Sequence, residues 1–307
     1  MRVEDNVTTA SRVTAGVLLG ALGILAFSFS LPATRLSVQG LDPWFVAFGR
    51  AAGAGVLAAG YLVLSGRPAA RALPTAGSAL PTARQLRRLG LVAAGVVIGF
   101  PLFTSIALTQ ATAAHGAVVI ALLPAATAVF AVVRGGERPS PRFWLAASAG
   151  FVAVLVFVAV SGGMAGGFRA ADLWFLAAVV VCALGYAEGG ALARDLGGAR
   201  TICWALVLSL PVTVPLAVVT AHGLATATAT AWFGFAYVTV ISQFLGFFAW
   251  YAGLARGGVA RIGQVQATQP VLTLAWSALF LREHVDVVTV VVAAVVLGCV
   301  VLTQRAR

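Results

Sequence analysis

Ten stretches of about twenty residues, almost free of charge, follow one another along the chain, at 13–33, 43–65, 88–110, 113–134, 143–161, 173–193, 201–221, 231–254, 260–281 and 285–303. A helix that crosses a bilayer needs about 20 mostly apolar residues, since each residue advances about 1.5 Å and the hydrocarbon core is about 30 Å thick. The pattern predicts an all-α membrane protein with ten transmembrane helices. Composition agrees: 61% of residues are hydrophobic and 9% charged, against about 25% charged in soluble domains. A soluble chain this apolar could not cover its surface with polar groups, whereas lipid solvates a membrane protein's outer face. The first stretch has no clear small-residue cleavage site after it and nine more stretches come later, so it reads as a span and not as a signal peptide.

The net charge of +11 comes from arginine, with no lysine in the chain. These arginines sit in short connections between apolar runs and form no stripe beside exposed aromatics, which argues against nucleic acid as a partner. Alternating the connections across a bilayer puts sixteen on the side of the termini, among them Arg67, Arg84, Arg88, Arg142 and Arg194. Arg35, Arg169 and Arg282 fall on the other side. Cytoplasmic loops carry the excess of positive residues, so both termini are expected in the cytoplasm. The Ala, Gly and Val richness with arginine alone points to a GC-rich bacterial genome, hence to a bacterial cytoplasmic membrane. The connection Ser65–Arg87 reads as a mobile cytoplasmic linker. Cys182, Cys203 and Cys299 each lie in an apolar run without metal-ligand spacing, and neither a metal nor a cofactor is expected.

The chain also repeats itself. Shifted by 146 residues, Pro124 meets Pro270, Thr127 meets Thr273, Glu137 meets Glu283, and Leu108, Ala121 and Ala147 meet Leu254, Ala267 and Ala293. Five helices per copy is an odd number, so the second copy must enter the membrane upside down. The expectation is two inverted five-helix units, 1–161 and 173–303. Inverted repeats mark secondary transporters, whose site lies near the midplane between the halves.

The stretch His115–Val133 with Pro124, followed by Gly136 and Glu137, and its counterpart Ala260–Leu281 with Pro270, followed by Arg282 and Glu283, resemble the drug/metabolite transporter superfamily, specifically its EamA-type members. Gly185 through Gly190, Arg194 and Trp204 resemble a bacterial subgroup of them. The resemblance implies transport of small organic molecules, often export of amino acids or related metabolites.

Ionisable residues within a span cost roughly 2.5–3.5 kcal/mol at a helix centre, which singles out Arg50 and Glu188. Glu188 lies about five residues past the middle of its span, roughly 7–8 Å from the midplane. It is read as a proton-coupling carboxylate or an anchor for a substrate amine, or else as a carboxylate satisfied by Arg194 or a helix end. Gly185, Gly189 and Gly190 would let a helix or a ligand approach it closely. Arg50 would bind a substrate carboxylate, or pair with backbone carbonyls or snorkel outward. The two differ too much in depth for a direct pair. Gln266 and Gln269 share a helix face beside Pro270, which frees the carbonyl of Gln266; they read as a polar site or as interhelical glue. Pro124 does the same to the carbonyl of Ile120. Gln243 and Ser242 lie deeper than Trp250 and Tyr251, which form either an aromatic belt or a wall of the substrate path. Tyr186 and Trp204 line the same cavity or simply pack. Trp44, Trp174 and Trp232 read as belt residues. Glu137 and Glu283 are expected to cap the next helix in the chain.

The expected lining is therefore Arg50, Tyr186, Glu188, Gln243, Trp250, Tyr251, Gln266 and Gln269, with a small-molecule substrate, protons as candidate coupling ion, and lipid around the bundle. No nucleotide-binding loop, zinc motif or nucleophile motif is present, which argues against an enzyme; a receptor or scaffold in the membrane is the alternative to a transporter.

Overall fold

The computed structural model describes residues 2–72, 80–135, 140–161, 169–257 and 265–305. Among them every regular element is helical. The helices are α1 (Arg2–Ser28), α2 (Ser30–Val38), α3 (Pro43–Ala72), α4 (Ala83–Val92), α5 (Phe100–Gln110), α6 (Ala113–Ile120), α7 (Leu123–Gly135) and α8 (Pro141–Ser161). After them come α9 (Ala170–Leu196), α10 (Gly198–Val219), α11 (Ala229–Ala236), α12 (Gly246–Gly257), α13 (Gln269–Phe280) and α14 (Val287–Arg305). Two π-helical turns, Ala93–Gly99 and Tyr237–Leu245, join α4 to α5 and α11 to α12.

Joined in this way, seven helical segments are long and apolar enough to cross a membrane: Thr14–Val38, Pro43–Ser65, Ala83–Gln110, Ala113–Val133, Ala170–Leu196, Gly198–Val219 and Ala229–Arg256. Three shorter apolar helices, Pro141–Phe157, Gln269–Phe280 and Val287–Leu302, accompany them. Large apolar side chains are exposed along their outward faces, such as Leu18, Val56, Leu145 and Val287. In water that surface would drive aggregation; in a bilayer it is solvated.

Helix ends differ from the expected spans for local reasons. The span expected from residue 88 begins at Ala83, because Thr82 and Gln85 form a reciprocal capping box there. Of the expected Ser65–Arg87 linker, 65–72 belong to α3 and 83–87 to α4, so that among its described residues only 80–82 are irregular; residues 73–79 lie outside the described set. The 113–134 span is interrupted at Ala121 and Leu122, just before Pro124, and Ala267 and Thr268 interrupt the chain just before Pro270. The first span is interrupted at Phe29, between α1 and α2. By contrast α9 runs unbroken for 27 residues, about 40 Å.

Close helix contact here depends on missing side chains. A Cβ on Gly95 would lie 2.2 Å from the carbonyl oxygen of Val181, and one on Gly185 would lie 2.5 Å from a methyl of Val96. Glycine at both places lets α9 seat against the first π turn.

Candidate functional site

The interruptions bring polar groups together inside the bundle. A π turn carries one residue too many for the α-helical ladder, leaves carbonyls poorly matched, and is frequent at functional sites. Gln243, on the second π turn, donates its side-chain amide to the carbonyl of Val97 on the first at 3.3 Å, and more weakly to Val96. Its Oε1 accepts from Arg50 Nη2 at 2.9 Å. Ser242 Oγ lies 3.4 Å from the same nitrogen and 2.6 Å from Ser30 Oγ, one residue past the break between α1 and α2. Arg50, Ser242, Gln243 and Ser30 are all buried.

Arg50 is thus a buried cation held by neutral groups. Among the described residues no carboxylate lies within ion-pair distance of it, and its Nε has no hydrogen-bond partner. An unmet buried donor costs about 1–3 kcal/mol, and an uncompensated charge more. The guanidinium presents a fork suited to a carboxylate.

On the other side of the α1–α2 break, Thr273 Oγ1 donates to the carbonyl of Ser28 at 2.7 Å, and Trp276 Nε1 donates to Ser28 Oγ at 2.9 Å. Leu31 then meets Pro124, Gln266, Gln269 and Pro270 around a narrow cavity. Its volume, about 10 Å³ for the centre of a water-sized sphere, is at the threshold for one water. The Nε2 of Gln266 is buried there without a partner. Gln266 and Gln269 therefore border a gap between the two broken helices, and the turn at 267–268 separates them, so they do not share the face of one continuous helix.

Trp250 and Tyr251 do not form a belt. Both are buried, because the rings interlock: Tyr186 lies 5.7 Å from Trp250 and 6.1 Å from Phe247, and Phe27 lies 4.8 Å from Phe247. Tyr251 packs its hydroxyl over Gly189, where a Cβ would stand 2.2 Å away. Trp250 Nε1, Tyr251 Oη and Trp204 Nε1 are buried donors without partners. Trp44 and Trp232 are exposed, whereas Trp174 is half-buried and stacks on Phe103 at 5.6 Å.

Glu188, 3% exposed, pairs with neither Arg50 nor Arg194. Arg88 Nε reaches its Oε2 at 2.6 Å from α4, and the Arg88 side chain is 27% exposed. Sequence reasoning counted Arg88 among the loop arginines, since nothing local marks a partner one hundred residues away. It also left out Asp172, one residue outside the expected span 173–193 and 1% exposed. Asp172 accepts from the backbone of Arg169 at 3.0 Å and lies 2.6 Å from His115 Nε2. The signal available was an acid in the first turn of an apolar helix.

Glu283 does not cap the next helix in the chain. Its two oxygens accept from the backbone of Ala113 and Ala114, at 2.9 and 2.8 Å, and so cap α6. The left-handed Arg282, at φ 54°, closes the end of α13 by letting the Glu283 backbone reach the carbonyl of Ser277 at 3.2 Å. The next helix, α14, is capped by Asp286 through Thr289. Glu137 lies outside the described residues. Among those described, no cluster of His, Cys, Asp and Glu has metal-ligand geometry.

Residues 14–159 and 169–304 each match the model of the EamA-like transporter family. The uncharacterized transporter YdeK of Bacillus subtilis (strain 168) is 45% identical over 296 residues, covering 96% of this chain and 99% of that one. A probable terminal-alkyne amino-acid exporter of Streptantibioticus cattleyicolor is 26% identical over 286 residues, covering 92% and 91%. One solved crystal structure superposes with a TM-score of 0.63 at 19% identity, covering 95% of this chain and 98% of the other, a likeness of fold.

Proposed function

Because the chain belongs to the EamA-like transporter family, we propose that it is a secondary transporter of small organic metabolites, amino-acid-like or drug-like, working by alternating access as an exporter in a bacterial cytoplasmic membrane. In this reading the three shorter apolar helices also cross, making ten spans, and residues 1–161 and 173–303 form two five-helix units of opposite orientation with both termini cytoplasmic. The breaks support the internal repeat. Shifted by 146, the interruption at 121–122 falls on that at 267–268, and the π turn 93–99 falls within the π turn 237–245.

The observation that carries the function is the convergence of the two π turns and the α1–α2 break on Arg50. Discontinuous helices line transporter sites, and a buried cation held, among the described residues, by the neutral Ser242 and Gln243 is suited to accept a substrate carboxylate in their place. Gln266 and Gln269 offer amides to the rest of the substrate, and Tyr186, Trp250 and Tyr251 offer an aromatic wall once the halves part. Glu188 serves as the coupling carboxylate. Arg88, which reaches it at 2.6 Å, is exposed enough to leave and let a proton or a substrate amine take its place.

Flux of a panel of amino acids and related metabolites into and out of proteoliposomes tests this. Transport of a carboxylated substrate is expected, and Arg50→Gln should reduce it at least tenfold, about 1.4 kcal/mol of recognition, with Arg50→Lys in between. Unchanged flux in Arg50→Gln removes Arg50 from the site. Glu188→Gln should lose the response to a pH gradient while retaining substrate exchange. A full gradient response in that variant leaves Glu188 a structural residue.

A further inference from the structure

The first turn of α6 is held by two acids from the other half of the chain. Glu283 occupies the N–H groups of Ala113 and Ala114, and Thr112 Oγ1 accepts from the N–H of His115 at 3.1 Å. The His115 imidazole then reaches Asp172 at 2.6 Å, packed against Phe157 at 5.0 Å between ring centroids and, further off, Phe175. Helix α6 lies in the first family-matched segment, residues 14–159; Asp172 and Glu283 lie in the second, 169–304. Parting the halves at this end must therefore break the His115–Asp172 contact.

We propose that His115 and Asp172 form a proton-binding latch whose protonation holds this end of the molecule closed. An ionised carboxylate only accepts, so neutral His115 carries its proton on Nε2 and donates it to Asp172, leaving Nδ1 free. A proton taken up at Nδ1 turns the contact into an imidazolium–carboxylate ion pair. The same proton on an imidazole released from Asp172 gains no such partner, so protonation favours closure and its loss favours opening. The other charged groups around this turn have their own placements. The Asp172 carboxylate is also bound by the Arg169 backbone, Glu283 sits on backbone donors, and Arg35 on α2 donates to the carbonyl of Leu108. Beyond α13, Arg282, His284 and Asp286 stand at the surface-facing end.

The inference rests on the transporter reading only for what opening accomplishes, and its test needs no substrate. Ala113, fully buried beneath the latch, is replaced by cysteine (Ala113→Cys), and labelling by an impermeant thiol reagent is followed in proteoliposomes between about pH 5.5 and 8, where histidine changes charge. The rate is divided by that of the same protein carrying His115→Gln, which keeps a donor to Asp172 but does not titrate, so that the reagent's own pH dependence cancels. The ratio should rise severalfold with pH. Asp172→Asn should flatten it, and His284→Gln should leave it intact. A ratio independent of pH, or one that persists in Asp172→Asn, overturns the latch. A pH-dependent ratio in a protein that moves no metabolite keeps the latch and defeats the transporter reading.

Discussion

Among the described residues two acids are buried, one toward each end of α9, and they are met differently. Near the start of α4, Glu188 faces an arginine; at the start of α6, Asp172 faces a histidine. A guanidinium keeps its charge at any pH the protein meets, whereas an imidazole changes its own within the physiological range. The first contact, between Arg88 and Glu188, carries a fixed positive charge. The second weakens when a proton leaves. With the proposed latch, the molecule is thus fastened at one end by a fixed charge and at the other by a variable one.

The largest effect that should separate the ends comes from removing the fixed cation. Arg88→Gln leaves Glu188 buried beside a neutral amide, and breaking such a pair costs about 3–5 kcal/mol. The partial exposure of Arg88 places this near the lower bound. Adding Glu188→Gln should recover part of the lost melting temperature in detergent, because it removes the buried charge that Arg88 met. If the double variant melts no higher than Arg88→Gln alone, the arginine acts through packing and the comparison fails on that side.

Glu283→Gln is the next test. It keeps an acceptor at the start of α6 but loses the charge that favours a helix N-terminus, a loss of about 1 kcal/mol. The melting shift should be the same at pH 6 and pH 8, which sets this cap apart from the titrating His115–Asp172 contact beside it. A shift that grows with pH would mean that the cap and the latch act as one unit.

The smallest effect belongs to Asp286. Its carboxyl is held below the usual carboxylate range, first by the backbone N–H of Thr289. Its contribution is therefore present above the ordinary carboxylate range and lost as pH falls through the lowered folded-state value. Asp286→Asn should leave melting at neutral pH unchanged within error, since asparagine also caps well, and should blunt only the acid end of the stability profile. A clear loss at neutral pH would show that the charge itself matters at this exposed position.

Hydropathy made the apolar segments visible before any coordinates, and Pro124 and Pro270 marked where two of them break. The features that stayed hidden have a common cause. The π turns Ala93–Gly99 and Tyr237–Leu245 carry no charged residue, and an extra residue in a turn leaves no trace in a hydropathy profile. Glu188 and Arg50 stood out because burying a charge is costly, yet that cost names no partner. Arg88 lies 100 residues from Glu188, and the backbone groups that Glu283 caps lie about 170 residues before it. Local reasoning assigned Glu283 to the next helix, the nearest N-terminus in sequence, while the fold brought a distant one closer. Asp172 escaped notice because one position separated it from the expected span, though its helix buries it fully.

The paired π turns also set a phase. In an α-helix each residue advances the azimuth by about 100°, and a π turn absorbs one residue without adding a turn. The helix on its N-terminal side is thereby rotated by roughly that angle against the helix on its C-terminal side, compared with an uninterrupted helix. Excising one residue from Tyr237–Leu245 would leave a perfectly good α-helix of nearly unchanged length and hydropathy. It would also turn Gln243 or its neighbours by about a quarter of a revolution away from Arg50 and Val97. Length variation at these two turns is therefore not neutral in the way loop length is: chimaeras that splice one half of this chain to the other half of a relative must carry the extra residue in both halves, or the facing amide and guanidinium will look past each other.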